Sequence, residues 1–114
     1  IITYVPMHPL KKISRGWNQS ELLAKEFLKF HPNAKCIPLL KRTHLGKAQA
    51  SKAKRDRLKS VKDLFSIKNR DNIKDRSILL IDDILTTGAT LNACCKILQL
   101  EEPKEISVLT IARG

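Results

Sequence analysis

Residues 78–90 constrain this chain more than any other stretch: Ile78-Leu79-Leu80-Ile81-Asp82-Asp83-Ile84-Leu85-Thr86-Thr87-Gly88-Ala89-Thr90. Side chains alternate across a strand, so the apolar run 78–81 needs cover on both faces. That is the habit of a central strand in a parallel sheet. Two carboxylates follow at its C-terminal edge, the side on which open parallel sheets bind ligands. Neighbouring carboxylates on a strand end point different ways and are costly to bury unpaired. A divalent cation, or the hydroxyls of a bound sugar, would satisfy them. A small, hydroxylated run then leads straight into a helix. Gly88 permits close backbone approach or a positive φ. The free amides of the helix start, with the Thr hydroxyls, can surround a phosphate. The two halves make one device, with a phosphate on the loop and the acids on the ribose attached to it. The plain alternative is a surface Asp pair followed by an ordinary Thr cap, and the demanding order of parts favours the device. No Gly-Lys-Ser/Thr follows, so this is not a Walker loop. One glycine stands where a dinucleotide fingerprint wants three.

The rest of the chain alternates strand and helix signals. Residues 1–5 are rich in β-branched side chains and stop at Pro6, a strand. Asn18 or Ser20 can cap a helix running to about Phe30, with Leu23, Phe27 and Phe30 on its buried side and Leu22 assisting. His31-Pro32-Asn33 stops it. Residues 36–40 form a short second strand in which Pro38 marks an edge or bulge. Leu58, Val61 and Leu64 are spaced like one face of a short helix. Residues 77–81 give the clearest strand. Residues 88–100 form a helix with Leu91, Cys94, Cys95 and Leu98 inward, and residues 106–111 close with a strand. This order predicts an α/β fold whose mostly parallel sheet is flanked by helices.

Charge divides the chain unevenly. The 114 residues carry 22 Lys or Arg and 11 Asp or Glu, a net +11. Residues 41–76 hold 13 basic and 4 acidic side chains, a net +9, whereas residues 77–114 hold 3 basic and 5 acidic. The basic segment is short of bulky apolar residues between Gly46 and Arg57, so it reads as a solvated, mobile arm. Such a field attracts polyanions at low salt. An apolar content of 42 % separates the chain from disordered tails. No apolar run is long enough to span a membrane, and no secretory signal is visible. Three cysteines, two of them adjacent, fit neither a disulfide scaffold nor a structural zinc site. A reducing cytoplasm is the expected compartment.

Residues 78–90 resemble the phosphoribosyl-pyrophosphate motif of the type I phosphoribosyltransferases. More narrowly, the chain resembles the ComF family of competence proteins, the phosphoribosyltransferase-like proteins of bacterial DNA uptake. The narrower match rests on Val5-Pro6-Met7-His8-Pro9-Leu10 with Arg15-Gly16-Trp17-Asn18-Gln19-Ser20-Glu21-Leu22-Leu23-Ala24. It rests also on Gln49, Arg57 and Phe65 spaced by eight, and on the motif itself with Ile111-Ala112-Arg113-Gly114. The resemblance implies a Rossmann-like type I phosphoribosyltransferase fold over residues 1–114, with a mobile hood at about 42–66. It implies 5-phosphoribosyl 1-pyrophosphate as ligand and Mg²⁺ as cofactor. Asp82 and Asp83 would hold the ribose hydroxyls and approach the metal through water. Thr86, Thr87, Gly88, Ala89 and Thr90 would take the 5′-phosphate. Met7 and His8, with Lys11, Lys12 and Arg15 nearby, would face pyrophosphate across an unusual peptide. Arg57 of the hood joins the two acids as a candidate catalytic residue. Family members commonly carry Asn where Ser60 stands here, and commonly begin with a cysteine-bearing zinc module that this sequence lacks. The nitrogen acceptor is unassigned.

Several residues have ordinary readings as well. His8 is either a solvated turn residue or a ligand contact. Arg15 favours a phosphate role, because its fork suits phosphate. Asn18 is either a helix cap or a contact. Trp17 reads as core in preference to a stacking surface. Cys94 and Cys95 read as helix core. Lys52, Lys54, Arg55 and Arg57 are either a solvated face or a contact for single-stranded DNA, and so the runner-up function is a noncatalytic DNA-binding or ligand-sensing module that works with other DNA-uptake proteins. Exposed aromatic platforms for bases are scarce.

Overall fold

The computed structural model describes residues 1–7, 16–42, 65–85 and 88–113. In chain order these form β1 (Ile2–Tyr4), α1 (Gln19–Leu28), β2 (Leu40–Arg42), β3 (Phe65–Ile67), a 3₁₀ turn (Arg70–Asn72), β4 (Ser77–Leu85), α2 (Ala89–Gln99) and β5 (Glu105–Arg113). The apolar run read as a central strand is one. β4 lies between β1 and β5 and pairs with both in parallel. Ile2 stands opposite Leu79 and Tyr4 opposite Ile81. On the other side Ile78 faces Ile106 and Asp82 faces Thr110.

The alternation of β4 sorts the core into two layers. Ile78 and Leu80 pack with Leu91, Cys94 and Leu98 of α2 and with Leu39 and Phe65. On the opposite face Ile81 and Leu79 pack with Ala24, Leu23 and Phe27 of α1. Leu80, Leu98, Cys94 and Ala24 are fully buried. Burying such side chains is worth about 1.5–3 kcal/mol each for the larger ones. Helices on both faces therefore hold the strand that carries the two acids.

The second expected strand divides in two. At Cys36 the chain makes an isolated parallel bridge to β1, where Ile2 N donates to Lys35 O at 2.7 Å and Ile37 N donates to Ile2 O at 2.9 Å. Pro38 has no N–H to continue that ladder, and the chain turns away. Leu40–Arg42 then pairs antiparallel with β3, Leu40 opposite Ile67 and Arg42 opposite Phe65. The Thr3 hydroxyl accepts from Leu39 N at 3.1 Å across the break. The strand at 65–67 was not expected from the sequence. The two ends of the segment read as a hood, Arg42 and residues 65–66, lie in this hairpin, while the helix expected at 58–64 lies outside the described residues.

Three apolar side chains depart from expectation. Trp17 is 49 % exposed and not core. It precedes α1, where its Nε1 donates to Gln19 Oε1 at 3.2 Å. Phe30 is 79 % exposed, because α1 ends at Leu28 and Phe30 falls in the turn beyond it. Leu22 is exposed on the outer side of α1. Helix α2 and strand β5 fall within two residues of their expected limits. Cys95 is half-buried, and Ile97 and Ala93 join the buried side. Among the described residues no helix is long and apolar enough to cross a membrane.

Candidate functional site at the carboxyl end of the sheet

The C-terminal end of β4 meets the starts of both helices. Asn18 caps α1, its Oδ1 accepting from Ser20 N at 3.1 Å. Its Nδ2 donates to Val5 O at 3.2 Å, tying the helix start to the chain leaving β1. Asn18 is buried, and its cap role is seen directly, while it also lines the cavity at this end of the sheet. Ser20, in the first turn of the helix and also buried, reaches the acids. Its hydroxyl donates to Asp82 Oδ1 at 3.0 Å and accepts from Asp83 N at 3.2 Å. Asp83 N also donates to Asp82 Oδ1 at 2.9 Å. A closed ring of three hydrogen bonds thus joins α1 to the end of β4 and fixes the Asp82 carboxylate.

Both acids are half-buried. Together with Met7, Ser20, Arg42 and Thr90 they line a cavity of about 180 Å³. Burial raises the Asp82 pKa above the ordinary carboxylate value. The neighbouring Asp83 carboxyl raises it further, and the Ser20 hydroxyl works the other way. Across the loop, Gly88 stands at the N-cap of α2 with φ +80°, a left-handed conformation that favours glycine. Gly88 itself has no side chain with which to cap the helix, and Asn92 N donates to Gly88 O at 2.8 Å. The start of α2 thus brings positive dipole and amide donors to the same end of the sheet.

Of the residues singled out in the sequence, Met7, Asp82, Asp83 and Thr90 line one cavity. Gly88 caps α2 and Ala89 is its exposed first residue. His8, Lys11, Lys12, Arg15, Lys52, Lys54, Arg55, Arg57, Thr86 and Thr87 lie outside the described residues, as does the peptide joining Met7 to His8. Sequence reasoning missed Ser20 and Arg42 as parts of the site. Ser20 was legible only as a possible cap. Arg42 was hidden within the basic run. Its guanidinium carbon lies 5.7 Å from the Phe65 ring centroid, and its buried Nε has no hydrogen-bond partner among the described residues. A buried donor left without a partner costs about 1–3 kcal/mol.

The cysteines stay apart from this chemistry. Burial, with smaller contributions from Cys95 and Asp82, pushes the Cys94 thiol up to about 12. Burial also raises Cys95 and Cys36. All three remain protonated thiols, poor as nucleophiles and as metal ligands.

With this geometry in place, comparison with known proteins gives a consistent result. Residues 37–114 match the phosphoribosyl transferase domain. Competence protein F of Haemophilus influenzae is 30 % identical over 111 residues, 96 % of this chain and 48 % of the relative. Competence protein ComFC of Streptococcus pneumoniae is 33 % identical over 109 residues, covering 96 % and 46 %. That of Bacillus subtilis is 34 % identical over 114 residues, covering 95 % and 41 %. The chain spans about half the length of the curated relatives it matches. A hypoxanthine-guanine phosphoribosyltransferase from Bacillus anthracis superposes with a TM-score of 0.57 at 14 % identity, covering 99 % of this chain and 55 % of that one. A hypoxanthine phosphoribosyltransferase from Staphylococcus aureus gives 0.53 at 15 %, covering 99 % and 50 %. The chain belongs to the phosphoribosyl transferase domain family, and over 95–96 % of its length it is similar to competence proteins F and ComFC. Its fold is the α/β type I phosphoribosyltransferase fold expected from the motif.

Proposed function

We propose that this chain binds 5-phosphoribosyl 1-pyrophosphate with Mg²⁺ at the carboxyl end of its sheet, as a phosphoribosyltransferase-like component of competence and DNA uptake. The observation that carries the reading is the Asp82–Asp83 pair, held by Ser20 at the end of the central parallel strand and facing a cavity shared with Thr90. The two carboxylates accept the ribose 2′- and 3′-hydroxyls. The start of α2, from Gly88, receives the 5′-phosphate with amide donors and positive dipole. Met7 leads out of β1 toward the pyrophosphate. Arg42 lines the same space and supplies positive charge to an anionic leaving group.

Mg²⁺ fits the donor set, because hard carboxylate oxygens at a half-open cavity suit a cation that keeps much of its water. Among the described residues no cluster of three His, Cys, Asp or Glu could hold a metal by itself. Asp82 and Asp83 would hold it through water, beside the bound ligand. Its chemistry there would be to offset the charge that builds on departing pyrophosphate. In transfer, the bond from the sugar's anomeric carbon to the pyrophosphate oxygen breaks, the electron pair leaves with pyrophosphate, and a nitrogen acceptor takes its place and gives up a proton.

Isothermal titration with 5-phosphoribosyl 1-pyrophosphate and Mg²⁺ tests the site. The expected result is saturable binding that Asp83→Asn weakens by at least about tenfold, roughly 1.4 kcal/mol. Wild-type protein that gives no heat and no shift with this ligand overturns the reading. Binding without pyrophosphate release in the presence of candidate acceptors assigns the chain to ligand sensing instead of transfer.

A second reading has its own support in the net +9 of residues 41–76 and in the family's competence proteins. Single-stranded DNA would be held by the basic side chains, largely without regard to sequence. This reading is compatible with the first, since the acids and the basic segment are separate parts of the chain.

A further inference from the structure

A second and larger cavity, of about 480 Å³, adjoins the site just described, and Pro6, Met7, Asn18 and Arg42 line both. We propose that this cavity is the acceptor pocket, and that it takes a flat ring bearing one negative group, a carboxylate or a phosphate. The proposal rests on the sugar-phosphate reading above and names the class of molecule that reading leaves open.

The walls are mainly apolar. Tyr4, Pro6, Met7, Pro38 and Leu40 supply them, and none can hydrogen-bond along its face. Such a surface suits the body of a ring better than a chain of phosphates. The volume also exceeds what pyrophosphate needs and falls within the usual range for a small organic ligand, about 300–1,000 Å³. Positive charge comes from Lys41, Arg42 and Lys68. Their grouping is a product of the hairpin. Lys41 and Arg42 lie on β2, and Lys68 follows β3, its N donating to Leu39 O at 3.0 Å. The antiparallel ladder thus gathers cations from both strands at one mouth. Arg42 lines both cavities, so its positive charge is shared between them. Glu21 also lines the larger cavity, held by Lys25 at 3.0 Å. A carboxylate there accepts a ring N–H and repels a second negative group. Three cations and one acid select a ring with one anionic end and one proton-bearing edge. The Tyr4 phenol, whose pKa burial pushes up to about 12 with help from Glu21 and Cys36, stays a neutral hydrogen-bond donor across the working pH range.

Benzoate, phenyl phosphate and uncharged benzamide serve as probes of the chain saturated with 5-phosphoribosyl 1-pyrophosphate and Mg²⁺, read by backbone amide shifts in NMR titrations. Benzoate or phenyl phosphate should saturably shift the amides of Tyr4, Lys41 and Lys68, with benzamide at least about tenfold weaker. Which of the two anions binds tighter tells carboxylate from phosphate. Lys41 and Lys68 are exposed, so the double variant Lys41→Ala/Lys68→Ala folds. It should weaken the ring anions about fivefold or more and leave the sugar pyrophosphate within about twofold. Ring anions that bind no better than benzamide, or that ignore the double variant, overturn the pocket while sugar-pyrophosphate binding stands. Pyrophosphate alone shifting Tyr4, with no response to either ring anion, overturns it too. A chain that fails to bind the sugar pyrophosphate at all overturns the underlying site reading, and the acceptor role falls with it.

Discussion

Asp82 is held in a conflict that its sequence neighbours create. The strand that places it must bury residues 78–81, and so it carries the carboxylate half-way into the protein. Burial raises its pKa, and the Asp83 carboxyl adds to the effect. The sign of the consequence for stability follows from linkage. A carboxyl whose folded value exceeds its unfolded value of about 3.9 takes up a proton more readily in the folded state. Stability is then highest below the unfolded value, falls as pH rises between the two values, and stays reduced above them. Asp82→Asn removes the ionisation and keeps an oxygen for the Ser20 hydroxyl. The variant should melt at a higher temperature than wild type at pH 7.5, with the gap closing as pH approaches about 4. Melting curves across that range check it, and a less stable variant at neutral pH refutes it. Ligand binding should move the opposite way, because the uncharged amide no longer attracts a cation. Single residues also show where the sequence was opaque. Trp17 and Phe30 are apolar yet exposed, since the rule that cores are apolar says nothing about which apolar residues stay outside. Ser20 looked like one more helix-start serine, and only the arrival of β4 beside α1 gives its hydroxyl an acid to hold.

At the scale of elements, α1 is fastened at its first turn. Asn18 caps the helix and at the same time bonds Val5 O. Asn18→Ala removes both interactions and leaves a buried carbonyl without its donor, at a cost of about 1–3 kcal/mol. A denaturant midpoint shifted by that amount with an unchanged slope would confirm it, and a shift below about 0.5 kcal/mol would count against it. Because Ser20 rides on the same turn, the variant should also loosen the sugar-phosphate site. The elements were legible in proportion to their length and contrast. Residues 77–81 and 88–100 carried unbroken apolar patterns and appear as β4 and α2. Three-residue strands carry little pattern. Phe65-Ser66-Ile67 alternates over too short a span to stand out after a basic run. Likewise, the break at Pro38 divides what reads as a single strand, because the loss of one N–H acts on pairing that sequence does not display.

For the whole molecule, charge and fold are arranged separately. The acids stand at the end of the sheet, in a C-terminal stretch of net −2, while residues 41–76 hold a net +9. Replacing Lys52, Lys54, Arg55 and Arg57 by Ala should flatten the salt dependence of single-stranded DNA binding by about 0.7 for each phosphate that is no longer neutralised. Fluorescence anisotropy over a salt series measures the slope, and an unaltered slope removes those residues from the interface. Because Arg57 is also a candidate catalytic residue, the triple variant Lys52→Ala/Lys54→Ala/Arg55→Ala, which leaves Arg57, Asp82, Asp83 and Ser20 untouched, is the one that separates DNA binding from the sugar-phosphate site. Fold class was legible because strand and helix alternate along the whole chain, and the paired acids stood out because two charges follow four apolar residues. The larger cavity was not legible, as its walls come from β1, α1, the segment at Pro38 and the β2–β3 hairpin, which only folding brings together.

β4 is paired on both sides, by β1 and by β5. A slip of one position along either neighbour would shift the acids one place, either drawing Asp82 into the buried run or putting an apolar side chain at one of the two rim positions. Such a chain would either bury a carboxylate or keep only one of the two at the rim. The register that buries residues 78–81 is also the one that sets both carboxylates at the rim, so weakening the pairing of β4 with β1 or β5 should lower stability and ligand affinity together.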